Sequence, residues 1–201
     1  MAMELKNWQK LGQQRVQMME ALGVSQICFD FIHAPSLPER EEIAKKVSKL
    51  IQDSIRKIFE ALAEKEGKRI DAKTIQHFTS TWGKEAIILT FRIMDDLLIK
   101  EYTNKQNNGP RDFTFLISRD IFVKSILVSA LETVFFINIV KGLVIYEILG
   151  LVDLKPFDYW RLLNIFLKFD PQMPLNLVSH FREIELKIVN ECAWTADSPV
   201  I

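Results

Sequence analysis

Apolar residues recur at three- and four-residue steps along most of this chain, the period of an α-helix rather than of a strand. The clearest stripe is Ile43, Val47, Leu50, Ile51, Ile55, Ile58, Phe59 and Leu62, with lysines and glutamates on the other face. It follows the breaker Ala34-Pro35-Ser36-Leu37-Pro38, whose Pro38 suits a first helical turn, and it runs toward Gly67, a natural stop. Upstream, Leu5, Trp8, Val16 and Met19 stripe a first helix, although Gly12 weakens it by about 1 kcal/mol relative to alanine.

A third long helix is expected from about Thr81 to Tyr102, with Ile87, Ile88, Phe91, Met94, Leu97 and Leu98 inward. Asn107-Asn108-Gly109-Pro110 ends it. Ser118 then looks like an N-cap for Arg119, with Asp120 well placed in the first turn. From Arg119 to about Val140 the chain is apolar on nearly every side, with Lys124 and Glu132 as charged exceptions. Surface helices keep a polar face, so this segment is expected to be a central helix that others wrap. Glu132, inside it, needs a hydrogen-bond or ionic partner, because a bare buried carboxylate is costly.

Lys141-Gly142 is read as the end of that helix. Shorter helices follow from about Leu143 to Leu149 and from Pro156 to near Lys168. Pro171 and Pro174 punctuate before a last helix, roughly Leu175 to Ala193, striped by Leu177, Phe181, Ile184, Ile188 and Cys192. No strand-like alternation or internal repeat is visible. The fold class is all-α, with an N-terminal helix and loop over residues 1–35 and one globular unit over 36–201.

Composition narrows the function classes. Of 201 residues, 48% are apolar and 26% charged, which suits a globular domain and not a disordered one. Twenty-six basic and twenty-six acidic residues cancel, leaving no global electrostatic case for nucleic acid or an anionic membrane. Cys28 and Cys192 are far apart and read as buried thiols in a reducing compartment. The N-terminus lacks the apolar core of a signal peptide, and Ile126 to Val140 contains Glu132 and is too short to span a bilayer. Cytosol or nucleus is the expected location.

Catalytic chemistry finds no foothold. His33, His77 and His180 lack helical-spaced metal-ligating partners; the nearest is Glu183, expected on a solvated face. The glycines are solitary, so no phosphate loop is present. Asp95-Asp96 reads as charged surface, since neighbours on a helix point apart. Lys45, Lys46, Lys49, Arg56 and Lys57 interleave with acids and read as an ion-paired face. Phe157, Tyr159, Trp160 and Trp194 read as core. No enzyme activity, cofactor or metal is expected.

Several short motifs fall in a telling order. Arg119-Asp120-Ile121-Phe122 opens a serine-containing apolar run that closes on Ala130-Leu131-Glu132-Thr133-Val134. Leu154-Lys155-Pro156-Phe157-Asp158-Tyr159-Trp160 follows, then His180-Phe181-Arg182-Glu183-Ile184-Glu185, Ala193-Trp194 and Asp197-Ser198-Pro199. This series resembles the A box, the N-terminal half of the pocket in retinoblastoma-type proteins. The resemblance covers roughly Ile43 to Ile201 and is strongest after Ser118.

The resemblance implies a cyclin-like fold, a choice that helical periodicity alone leaves open beside an irregular bundle. It implies a protein-interaction half-module of a nuclear transcriptional corepressor, acting in cell-cycle control. The module would pair with a B-box half, in the same longer protein or as a separate chain. Between the halves the family holds the acidic-hydrophobic segment of E2-factor-type transcription activators, while the cleft for Leu-x-Cys-x-Glu peptides belongs to the B half. Nothing here resembles a B half, so a sizeable apolar docking patch is expected. Among the family's groove residues, Glu101 and Glu185 match. Arg182 stands where the family has a glutamate, and Ser179 where it has a cation. Asn104 and Phe115 fall near an arginine and a lysine of the family. Ser198-Pro199 matches a proline-directed phosphorylation site. The alternative is a cyclin-like partner of a kinase or of the transcription machinery.

Overall fold

The computed structural model describes residues 37–65, 67, 72–104, 114–169 and 173–192, so the expected first helix, Cys28, Trp194 and Ser198 lie outside the described residues. The chain runs through α1 (Leu37–Lys65), α2 (Ala72–Phe78), a π-helical turn (Thr79–Gly83), α3 (Lys84–Asn104) and α4 (Thr114–Ile117). It continues through α5 (Asp120–Asn138), α6 (Ile145–Leu151), α7 (Pro156–Phe169) and α8 (Leu175–Cys192). Among the described residues there is no strand.

Helix α5 is the centre. Phe122, Val123, residues 125–131 and residues 133–135 are all buried. The helix packs against α1, α3, α4, α6 and α7. Its small residues Ser125, Ser129, Ala130 and Thr133 let these neighbours approach closely, and Thr133 returns its hydroxyl to the Ser129 carbonyl at 2.7 Å. The helix α1 stripe is inward as expected: Val47, Ile51, Ile55, Ile58, Phe59 and Leu62 are buried, with Ile43 and Leu50 packed at the edge. Gly67 takes φ +63° past the end of α1, and its N–H reaches the Glu64 carbonyl at 3.1 Å.

Both ends of α5 differ from expectation. Ser118 is not the N-cap; Arg119 holds that position with no side-chain cap, and the Ser118 hydroxyl donates to Phe115 O at 3.2 Å. The helix also stops at Asn138, before Lys141-Gly142. Ile139 turns left-handed (φ 54°), and Val140 N–H bonds Phe135 O at 2.9 Å, closing a Schellman turn. A β-branched residue is an unexpected choice there, which is why the sequence pointed to the later glycine. The end of α6 repeats the device with Asp153 at φ 52°.

Helical structure also begins earlier than Thr81. The α2 segment runs into α3 without a break, because Phe78 and Lys84 flank the π turn in right-handed helical geometry. Threonines and a glycine hide this stretch from propensity reasoning. Tertiary packing holds it: Phe78 stacks on Trp82 at 5.1 Å, and Phe59 and Phe135 close around them. The Ser80 and Thr81 hydroxyls both donate to the His77 carbonyl. Asp95 is a second correction, since it is buried rather than surface charge. Helix α3 is covered by both α5 and α7, so only Asp96 keeps a half-open position, 3.7 Å from Arg92. Cys192 is half-buried rather than buried.

Glu132 has the partner it requires. His180 Nε2 on α8 lies 2.8 Å from Glu132 Oε1, joining the last helix to the central one. The imidazole stacks on Phe136 at 4.4 Å and meets Phe181 edge-on at 5.6 Å. Nearby, Ser129 donates to the hydroxyl of the fully buried Tyr159 at 3.3 Å. Burial above all, against the lowering effect of the Ser129 bond and with a smaller push from Glu132, lifts the Tyr159 phenol well above its ordinary range, so it stays neutral.

Two stability tests follow. A Cβ on Gly83 would lie 2.9 Å from Phe59 Cε2 and 3.3 Å from Ile55 Cγ2. Both neighbours are buried, so Gly83→Ala should lose about 1–3 kcal/mol in urea denaturation, where helix propensity alone would gain about 1 kcal/mol. A stabilised variant would mean that α1 yields at this contact. Truncating Glu132 or His180 to alanine should cost about 1–3 kcal/mol each. In a double-mutant cycle the two should couple by about 1 kcal/mol, and strict additivity would show that the pair does not tie α8 to α5.

Candidate protein-interaction surface

Helix α8 buries Leu177, Phe181, Ile184 and Ile188, and this stripe fixes where its other side chains point. Arg182 and Glu185, three residues apart, are brought together: Arg182 Nη1 donates to Glu185 Oε2 and, at 3.4 Å, to Asn164 Oδ1 on α7. The arginine side chain is 48% exposed and the carboxylate 16%. A ligand therefore meets the guanidinium first, and Glu185 accepts from a partner only if Arg182 shares it. Half-exposed pairs of this kind are worth about 0–1 kcal/mol, so the exchange is cheap. Glu101 lies in the last turn of α3, with its side chain outside the described residues, as is Ser198. Glu183 is exposed, and His180 pairs with Glu132 instead.

Among the described residues several large apolar side chains open to solvent, Leu175 at the start of α8 most of all. Leu186 and Val189 face outward on α8, as does Ile165 on α7. Phe115 and Ile121 are exposed at the α4–α5 corner, and Ile139 and Val144 at the α5–α6 turn. Beside that turn lies an open hollow of about 590 Å³, lined by Ala61, Glu64, Leu143, Gly150 and Leu151. The Lys65–Glu147 ion pair spans it from α1 to α6. Glu147 also accepts the Val144 N–H at 2.9 Å. Lys65, and then this backbone donor, hold the Glu147 carboxyl below the usual range.

Residues 34–201 match the family described as "Retinoblastoma-associated protein A domain". This chain belongs to that family. The A domain is 29% identical over 103 residues to retinoblastoma-like protein A of Dictyostelium discoideum, covering 51% of this chain and 8% of the relative. It is 26% identical over 145 residues to retinoblastoma-like protein 1 of Mus musculus, covering 65% and 13%. Against retinoblastoma-like protein 2 of Homo sapiens the identity is 23% over 115 residues, covering 57% and 10%. The chain thus spans roughly a tenth of the length of these curated relatives, between 8% and 13%. Its all-helical, centre-helix architecture is the cyclin-like fold of the A domain.

Sequence reasoning found Arg182 and Glu185 but not their mutual pairing, nor Asn164, whose contact crosses between two helices. The His180–Glu132 bond was half legible: the need of Glu132 was clear, while its partner lies 48 residues away.

The Glu147 pair gives this A domain a readable pH dependence. Its folded carboxyl sits below the ordinary value of 4.5, so its stabilisation is present above that value. The contribution is lost as pH falls through the folded value. Carboxyl NMR should show Glu147 titrating low, and Lys65→Met should move it up toward 4.5. An unmoved titration would place the cause elsewhere than Lys65.

Proposed function

We propose that this chain is the non-enzymatic A half of a pocket that recruits transcription activators. It docks a B-type half and with it holds the acidic-hydrophobic segment of E2-factor-type activators. By doing so it acts in the nucleus as a corepressor of cell-cycle genes. The observation that carries this reading is the match of residues 34–201 to the A domain, over a fold in which α5 is wrapped as that domain requires. The outward Leu186 and Val189, three residues apart on α8, support a docking role, because stable monomers rarely expose contiguous large apolar groups without a partner. Alone, the chain is expected to self-associate in sedimentation, and to stop doing so when a B-type half is added.

The direct test is titration of a fluorescent activator peptide into the reconstituted A–B pair. Arg182→Glu removes the exposed cation and sets two carboxylates one turn apart on α8. It should weaken the acidic peptide by about 1–3 kcal/mol. No binding by the wild-type pair would defeat the activator reading. Equal affinity of the variant would leave this half as scaffold only. A kinase that co-purifies with the chain would favour a cyclin-like role instead.

A further inference from the structure

The hollow beside the α5–α6 turn is kept open by residues that the fold itself does not require. It holds about 590 Å³, the size of a ligand cleft. Its wall joins Ala61 and Glu64, in the last two turns of α1, to Leu143, Gly150 and Leu151 at the two ends of α6. Gly150 has no positive φ, and a Cβ built on it would meet nothing within 4 Å. Alanine would fit there and suit a helix better, so this glycine serves the space in front of it and not the packing behind it. At the rim, Ile139 is 76% exposed at a left-handed φ of 54°, and Val144 is 59% exposed. A strained, β-branched side chain left in water adds nothing to the core, and strain of this kind collects at functional surfaces.

The charges that line the hollow favour a cation. Glu64 and Glu147 set two carboxylates against one lysine, and Lys65 is already committed, its ammonium donating to both Glu147 oxygens. Among the described residues no cation pairs with Glu64. Glu64 also stands in the last turn of α1, at the negative end of the helix dipole, where a carboxylate works against the helix. The hollow therefore combines an uncompensated negative edge with an apolar lining of Ala61, Leu143 and Leu151. Such a site repels an acidic segment and attracts a basic one.

We propose that this hollow docks an extended segment of a partner protein in which a lysine or arginine stands beside a large apolar residue. Glu64 takes the cation, and Leu143, Val144 and Leu151 cover the apolar side chain. The bare backbone at Gly150 lets the segment lie close against α6. The hollow shares no residue with Arg182, Glu185 or Asn164, so the inference stands apart from the activator-binding reading. Its preference is also the reverse of that reading: a basic segment here, an acidic one there.

The test presents a phage library of random dodecapeptides to the immobilised full chain, with counter-selection on Gly150→Phe, which fills the hollow. Recovered peptides should carry a lysine or arginine next to an aliphatic or aromatic residue. The most enriched peptide is then labelled with fluorescein and titrated. Glu64→Gln should weaken it about tenfold and flatten the salt dependence of its Kd. Its twin with glutamine for every cation should bind weakly and ignore Glu64→Gln. Glu183→Gln, which removes an exposed carboxylate on α8, should change nothing. Thermal unfolding of both hollow variants separates lost docking from lost fold, and Glu64→Gln decides alone where Gly150→Phe does not fold. Acidic or purely apolar peptides, or binding that survives Glu64→Gln and a folded Gly150→Phe, would overturn the inference. An empty selection would overturn it too, and if wild type then dimerises in sedimentation while Gly150→Phe does not, the occupant is a second copy of this chain.

Discussion

A helix without a polar face is the constraint on which the rest of this structure depends. Helix α5 can leave no side open to water, so α1, α3, α4, α6 and α7 pack directly against it. Burying one large aliphatic or aromatic side chain contributes about 1.5–3 kcal/mol, and α5 buries several: Phe122, Ile126, Leu127, Leu131 and Phe135 among them. The amphipathic stripes of α1 and α8 follow from that demand. Each supplies one apolar face to the assembly and keeps its charges outside.

Polar groups within such a core must be satisfied locally or across to a neighbour. Thr90 and Thr133 return their hydroxyls to carbonyls four residues back, which satisfies them within one helix. Glu132 cannot do this, and its bond to His180 joins two helices instead. The stacking of His180 on Phe136 then gives the imidazole one orientation. This combination of a directional hydrogen bond and an aromatic stack sets the register of α8 more tightly than apolar contacts, which tolerate small slides.

The long periodic helices were legible because their burial is written in local spacing. The α1 stripe, the closed character of α5, the proline that opens α7 and the four buried residues of α8 could all be read directly. What escaped depended on distant neighbours. The π turn before α3 sets Gly83 against Phe59, and no local pattern encodes that contact. Asp95 reads as surface until α5 and α7 are known to cover α3. The end of α5 fell on Ile139 rather than Gly142, because the chain accepts a strained residue where a glycine stood nearby. Of the candidate site, Arg182 and Glu185 were legible as residues but not as one ion pair.

That pair bears on how the surface discriminates between ligands. Arg182 and Glu185 neutralise each other, so an approaching acidic segment meets little net charge there until the pair opens. Arg119 differs: the adjacent Asp120 is held by Lys46, and the guanidinium lies over the Phe115 ring. The first arrangement responds to a ligand that supplies both a donor and an acceptor, such as an extended backbone.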